Sequence, residues 1–202
     1  MKLRLILGLS AGLVIAVGLM RVMGVPARVQ AADQAQALAH SHPSLHALLS
    51  EAQRVERGYK IAPVRLSLRG KDPVLVGLGS YLVNAAGGCN DCHTNPPFAE
   101  GGDPFAGQPK KVNAENYLAG GTAFGPFISR NLTPDANGLP AGLTYAQFKQ
   151  TMRTGIDLKN AHPQISPLLQ VMPWPVFQSL TERDLRAMYE FLRAIPHAEP
   201  AP

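Results

Sequence analysis

The sequence predicts a mainly helical domain whose helices are joined by long irregular loops. Three segments combine helix-capping residues with apolar residues at helical spacing: 72–87, 144–153 and 181–194. Between the first two lies a stretch, 95–142, that is rich in proline and glycine and has no sustained helical period. Such a composition is typical of turns and loops, so regular structure is expected mainly in the helices on either side.

Residues 1–31 have the pattern of a targeting segment. Lys2 and Arg4 precede an apolar run at 5–20, and small residues surround Ala31. This order is typical of a secretory signal peptide and predicts cleavage after Ala31 and export to the periplasm. The apolar run is short for a membrane span, but its retention as an uncleaved anchor stays open, and with it an association with the membrane.

The charge balance gives no indication of nucleic-acid binding. The chain has 19 basic and 14 acidic residues, and four of the basic residues but none of the acidic ones precede Ala31. The mature chain is therefore close to neutral, and the basic character belongs mostly to the targeting segment. About 170 residues remain after cleavage, which is the length of one domain.

Residues 32–70 are interpreted as an N-terminal extension. Leucines at helical spacing around Leu48 predict a short amphipathic helix. The stretch 59–69 is predicted to be extended, because Pro63 stands among alternating apolar residues. Three histidines also fall in this region: His40, His42 and His46. No carboxylate or thiol accompanies them, so a solvated polar face is favoured over a metal site.

The first of the three marked helices opens at Asp72 and Pro73, the expected N-cap and first helical residue. Gly77 and Tyr81 share one face of it, and Tyr189 of the last helix is the predicted partner of that face. Glycine at this position has two explanations that stay open, close approach of another helix or a residue that packing merely tolerates.

The other two helices have their own boundary signals. Thr144 with Gln147 forms a capping box at the start of the second helix, and Gly155 ends it. Thr181 caps the last helix, whose first turn carries acidic residues that suit the positive end of the helix dipole.

Residues 89–93, CNDCH, have the pattern Cys-x-x-Cys-His, which is typical of covalent c-type haem attachment. Two cysteines on one turn can each reach a vinyl group on the same porphyrin edge, and the adjacent histidine can bind the iron. Cys89 and Cys92 are therefore the predicted thioether attachments, and His93 is the predicted proximal ligand. A redox pair lacks its βαβ context, a zinc site lacks further cysteines, and a structural disulfide leaves His93 unexplained.

The irregular stretch that follows is expected to cover the haem, because long loops beside a site usually wrap around something. Within it, Asp135 and Asn137 resemble the start of a calcium loop. The later acidic ligand is missing, so a plain turn is favoured.

The second axial position of the iron decides the function. An open position can bind oxygen, peroxide or CO, whereas a closed one mostly transfers electrons. Met172 is the predicted ligand, because Pro173 and Pro175 fix a rigid, non-helical segment around it; packing in a core is the alternative. Other candidates fit less well: Met152 and Met188 on apolar helix stripes, His162 in a loop and His197 near the C-terminus.

The order of these features resembles a class I cytochrome c. More narrowly, four stretches resemble the bacterial cytochrome c domains of dehydrogenase-associated cytochromes, among them subunits of membrane-bound alcohol dehydrogenases: NLTPD at 131–135, RTG at 153–155, MPWP at 172–175 and LRAMY at 185–189. The resemblance covers about residues 72–196. It implies an all-α fold around one covalently bound haem c, crossed N- and C-terminal helices, Met172 as distal ligand, and a cytochrome c domain at 71–202.

Two features depart from that family. Its dehydrogenase subunits carry several haem motifs, whereas this chain has one. The residue before Asn131 is often proline there but is Arg130 here, which leaves open which carbonyl at 125–130 accepts the hydrogen bond from His93 Nδ1. Contacts with the haem edge or propionates are expected from three residues, with ordinary packing as the alternative: Trp174, Tyr117 and Arg153.

The predicted function is that of an exported monohaem electron carrier, either free or as a subunit that passes electrons from a dehydrogenase to the respiratory chain. No Ser/His/Asp or paired-carboxylate arrangement is evident, so no catalytic activity is predicted. A haem peroxidase or gas-binding sensor with an open distal site is the main alternative. A purely structural partner protein is a weaker one.

Overall fold

The computed structural model describes residues 43–159 and 166–201, and the side chains from residue 50 onward. The helices are α1 (Pro43–Ile61), α2 (Pro73–Tyr81), α3 (Cys89–His93), α4 (Tyr145–Thr154), α5 (Trp174–Phe177) and α6 (Glu182–Ala194). A π-helical turn (Leu82–Ala86) continues α2, a 3₁₀ turn spans Pro104–Ala106, and β1 (Ala123–Phe124) pairs antiparallel with β2 (Phe127–Ile128). The prediction of an all-α class is confirmed.

Several predicted features lie outside the described residues: the targeting segment 1–31, His40, His42, the side chain of His46, and His162. Within the described residues, no helix has the length and apolar character that a membrane crossing requires.

The packing of α2 against α6 forms the centre of the fold. Asp72 Oδ1 caps α2 by accepting the backbone N–H of Val74 at 2.8 Å, as predicted. Gly79 permits the close approach of the helices, because a Cβ at this position would lie 1.9 Å from the carbonyl oxygen of Ala187. The contact between these helices, which the resemblance implies, is therefore made through backbone.

The predicted pairing of the Gly77 and Tyr81 face with Tyr189 is wrong. A Cβ on Gly77 would lie 2.7 Å from side-chain atoms of Tyr59 and Val55, so this face meets α1. Two residues along a helix rotate by about 200°, so Gly77 and Gly79 face opposite neighbours. Tyr189 instead donates a hydrogen bond to the Leu143 carbonyl at 2.9 Å.

Helix α1 is longer than predicted and includes Tyr59–Ile61, which were expected to be extended. Tertiary contacts explain the difference. The Tyr59 hydroxyl donates to the Pro73 carbonyl at 2.8 Å, and Ser80 Oγ donates to the Gly58 carbonyl at 2.7 Å. These contacts fix the end of α1 on α2 and outweigh its weak local signal.

Helix α1 also contacts α6 through the ion pair of Glu51 with Arg183, at 2.6 Å. The hydrogen bond from Arg183 lowers the pKa of Glu51 below its ordinary value of 4.5. The pair therefore stabilises the fold above that value, and its contribution is lost as the pH falls through the lowered pKa.

We expect Arg183→Met to decrease the free energy of unfolding by less than about 1 kcal/mol at neutral pH, because the pair is partly solvent-exposed. Urea titrations of wild type and variant should converge in acid. A difference that grows as the pH falls would contradict this role for the ion pair.

The remaining boundaries follow the predicted signals. Thr144 with Gln147 and Thr181 with Asp184 form capping boxes at α4 and α6. Asp135 Oδ1 accepts the backbone N–H of Asn137 at 2.8 Å and of Leu139 at 2.9 Å, so the favoured plain turn is confirmed. The described residues contain no cluster of three or more His, Cys, Asp or Glu that could hold a metal ion.

Candidate functional site

The Cys-x-x-Cys-His motif forms the short helix α3. Gly88 precedes it in the left-handed conformation, at φ 58° and ψ 28°, where a residue without Cβ is favoured. Cys89 and Cys92 are free thiols. Burial raises the pKa of Cys89 to about 12 and also raises the pKa of Cys92. Both thiols are therefore protonated at neutral pH and stand on one helical turn.

A cavity with an open mouth and an empty volume of about 1070 Å³ lies beside this helix. All four predicted site residues line it: Cys89, Cys92, His93 and Met172. Most of the remaining wall is apolar and includes Phe124, Phe127, Leu132, Leu143, Phe148 and Phe177. The structure thus brings the motif and the distal methionine, which are far apart in sequence, to one apolar cavity.

The ring of His93 is oriented by a backbone carbonyl. With the ring assigned as the Nδ1–H tautomer, Nδ1 donates to the Arg130 carbonyl at 2.8 Å, which lies within the predicted range 125–130. Burial lowers the pKa of His93, so the ring is neutral near pH 7. The Nε2 atom therefore keeps a lone pair, as a metal-ligating imidazole requires.

Met172 is partly buried and stands directly before α5. Its carbonyl accepts the backbone N–H of Trp174 at 2.8 Å. The prediction of a non-helical segment is wrong for Trp174 and Pro175, which form the first turn of α5. A proline fits there because its missing N–H would have no partner in a first turn.

The other candidate ligands are distributed differently. Met152 and Met188 are buried in the core, 3% and 4% exposed, as their apolar stripes predicted. Met152 also lines the cavity, which its sequence position did not indicate. His197 does not line the cavity, and its Nδ1 lies 2.8 Å from the Pro134 carbonyl oxygen.

None of the three residues expected at the haem edge lines the cavity. The Tyr117 hydroxyl donates to Asn84, and Arg153 Nη1 donates to the Gln178 carbonyl. Trp174 packs on Gly155, where a Cβ would lie 2.3 Å from the indole ring. The alternative of ordinary packing describes all three.

Two parts of the wall were missed by the sequence reasoning. Arg130 lines the cavity, and its guanidinium pairs with Asp157 at 2.5 Å. The hairpin of β1 and β2 contributes Phe124, Phe127 and Ile128. Gly125 and Pro126 between two apolar pairs were a turn signal for this hairpin, whereas no pattern pointed to the ion pair.

Comparison with known proteins supports a relationship to dehydrogenase cytochromes. The chain is 32% identical over 58% of its length to the gluconate 2-dehydrogenase cytochrome c subunit of Pantoea cypripedii, and covers 22% of that protein. It is 31% identical over 59% of its length to the cytochrome c subunit of the alcohol dehydrogenase (quinone) of Gluconobacter oxydans, and covers 21% of it. The fructose dehydrogenase cytochrome subunit of Gluconobacter japonicus is 31% identical over 58% of this chain, which covers 20% of that protein.

The chain thus spans about a fifth of the length of these relatives. No protein-family model matches the chain, and no solved structure matches it significantly. The resemblance to dehydrogenase-associated cytochrome c domains is confirmed by these similarities.

Proposed function

We propose that this chain is an exported monohaem cytochrome c that transfers electrons, with haem attached at Cys89 and Cys92 and iron bound by His93 and Met172. The observation that carries the proposal is the single apolar cavity lined by all four of these residues. When bound, the haem would supply a one-electron couple at the iron.

The residues of the cavity fit this group. Its empty volume of about 1070 Å³ is at the upper end of the range usual for ligand pockets. Two uncrosslinked thiols on one turn suit two thioether bonds, and an imidazole that donates through Nδ1 leaves Nε2 for the metal. Aromatic and aliphatic walls exclude water and so favour a buried macrocycle.

The chain's own residues would keep the site closed. His93 is held by the Arg130 carbonyl at 2.8 Å, so its ring needs no reorientation when the oxidation state changes. A thioether from Met172 would fill the second axial position and raise the potential relative to a second histidine. Filled positions on both sides favour electron transfer over binding of oxygen or peroxide.

A partner dehydrogenase is part of the proposal. The similar proteins are named as cytochrome subunits of gluconate, alcohol and fructose dehydrogenases. We infer that this chain accepts electrons from a dehydrogenase of that general kind and passes them to a respiratory acceptor. The targeting segment at 1–31 supports a periplasmic location, either released or held by that segment at the membrane.

Haem attachment can be tested by intact-mass measurement of the protein matured in a host that exports and attaches haem c. We expect the mass of one haem on the wild type, retained after denaturation. The double variant Cys89→Ser/Cys92→Ser should lose all covalent haem, because no other cysteine is present in the chain.

The matched control is Met152→Leu, which changes the cavity wall but leaves the motif intact, and should retain the full haem mass. Wild-type protein that carries no haem, or haem that denaturation removes completely, would refute covalent attachment.

A further inference from the structure

Arg130 makes two contacts at the cavity wall. Its carbonyl accepts the hydrogen bond from His93 Nδ1 at 2.8 Å, and its Nη2 donates to Asp157 Oδ1 at 2.5 Å. The side chains of the ion pair are only 19% and 9% exposed. Solvent and salt screen such a pair less than one on an open surface. The side chain of Arg130 can therefore hold the peptide that orients the imidazole.

The backbone around Arg130 is packed from the other side by Gly120. A Cβ on Gly120, which has φ +79°, would lie 2.6 Å from the carbonyl carbon of Arg130. The N–H of Gly120 donates to the His93 carbonyl at 2.7 Å. Both the backbone and the ring of His93 are thus held by one packed unit, to which Arg130 belongs.

Asp157 belongs to a segment that leads to Met172. Its N–H donates to the Pro167 carbonyl at 2.9 Å, and the N–H of Leu169 donates to the Gly155 carbonyl at 2.7 Å. Residues 169–172 then line the cavity. The carboxylate that holds Arg130 is therefore fixed to the chain segment that carries the distal methionine.

We propose that the Arg130–Asp157 ion pair is a positioning clasp, which holds the His93 side and the Met172 side of the cavity in register. This inference rests on the proposed function. Both segments lack long regular structure, so side-chain contacts have to fix their relative position. Substitution of a residue that orients a metal ligand typically weakens binding by about 10- to 100-fold.

The test uses haem-loaded protein with Asp157→Asn, Arg130→Met and the double variant. We expect each single variant to weaken the long-wavelength methionine–iron band of the oxidised protein. Each should also raise the ratio of CO-bound to unbound reduced protein about tenfold. The double variant should be no worse than either single variant, because the two residues act as one unit. Arg183→Met, which breaks the ion pair with Glu51 outside the cavity lining, is the control and should change neither reading.

The midpoint potential separates positioning from a simple charge effect. Loss of the Asp157 carboxylate makes the site more positive, and loss of the Arg130 guanidinium makes it more negative. Opposite shifts of the potential with an intact methionine–iron band would overturn the clasp, and so would additive losses in the double variant.

Arg130→Lys keeps the charge and should retain part of the band. If Arg130→Met does not take up haem, the comparison of Arg130→Lys with Asp157→Asn decides the question: an unchanged band in both overturns the clasp. A wild-type protein that loads haem but shows no methionine–iron band would instead contradict the proposed function.

Discussion

Replacement of Met172 by alanine is expected to open the iron to external ligands. The variant should retain covalent haem, because Cys89 and Cys92 are unchanged. It should lose the methionine–iron band and bind CO rapidly when reduced. Its midpoint potential should fall by roughly 100 mV or more, a fraction of the roughly 0.8 V range that axial ligands span. Absorption spectroscopy and a redox titration measure these three effects.

Met152 offers a matched control, since it is a second methionine in the wall of the same cavity. Met152→Leu removes a thioether at nearly constant volume and should cost less than about 1.5 kcal/mol of stability. Its band and potential should stay those of the wild type. If Met152→Leu lost the band while Met172→Ala kept it, the assignment of the distal ligand would have to move to Met152.

The largest expected effect on stability comes from Gly79→Ala. The new Cβ would lie 1.9 Å from the Ala187 carbonyl oxygen and 2.5 Å from its carbon. Both atoms are backbone, so α2 and α6 have to separate. The gain in helix propensity, about 1 kcal/mol, is expected to be outweighed, with a net loss of about 2 kcal/mol in the free energy of unfolding. Urea titration of the haem-loaded protein measures it.

Gly77→Ala, two residues earlier on the same helix, is the control. Its Cβ would lie 2.7 Å from side-chain atoms of Tyr59 and Val55, which can move more easily than backbone. We expect a smaller loss than for Gly79→Ala. Equal stability of Gly79→Ala and wild type would contradict a tight contact between α2 and α6.

Local signals were sufficient for the elements that begin with a cap. Asp72, Thr144 and Thr181 were recognised as N-caps, and each accepts the expected backbone hydrogen bond. The length of α1 could not be predicted, because its end is fixed by contacts with α2 that join distant parts of the chain. The choice between Gly77 and Gly79 as the close contact with α6 likewise depends on which neighbour each face meets.

The site was predictable where chemistry requires a fixed spacing. Cys89, Cys92 and His93 form one motif, and the prolines that follow Met172 mark its segment. The acceptor for His93 could be limited only to a short range, because a carbonyl has no sequence signal of its own. The ion pair of Arg130 with Asp157 joins residues 27 positions apart and leaves no periodic pattern, so only the structure brings it to view.

The most direct test of the central claim is the reaction of reduced wild-type holoprotein with CO, followed by absorption spectroscopy. If His93 and Met172 close the iron on both sides, CO should bind slowly or not at all, and the oxidised protein should show the methionine–iron band. Rapid and complete CO binding without that band would contradict the account and favour a gas-binding or peroxidase site.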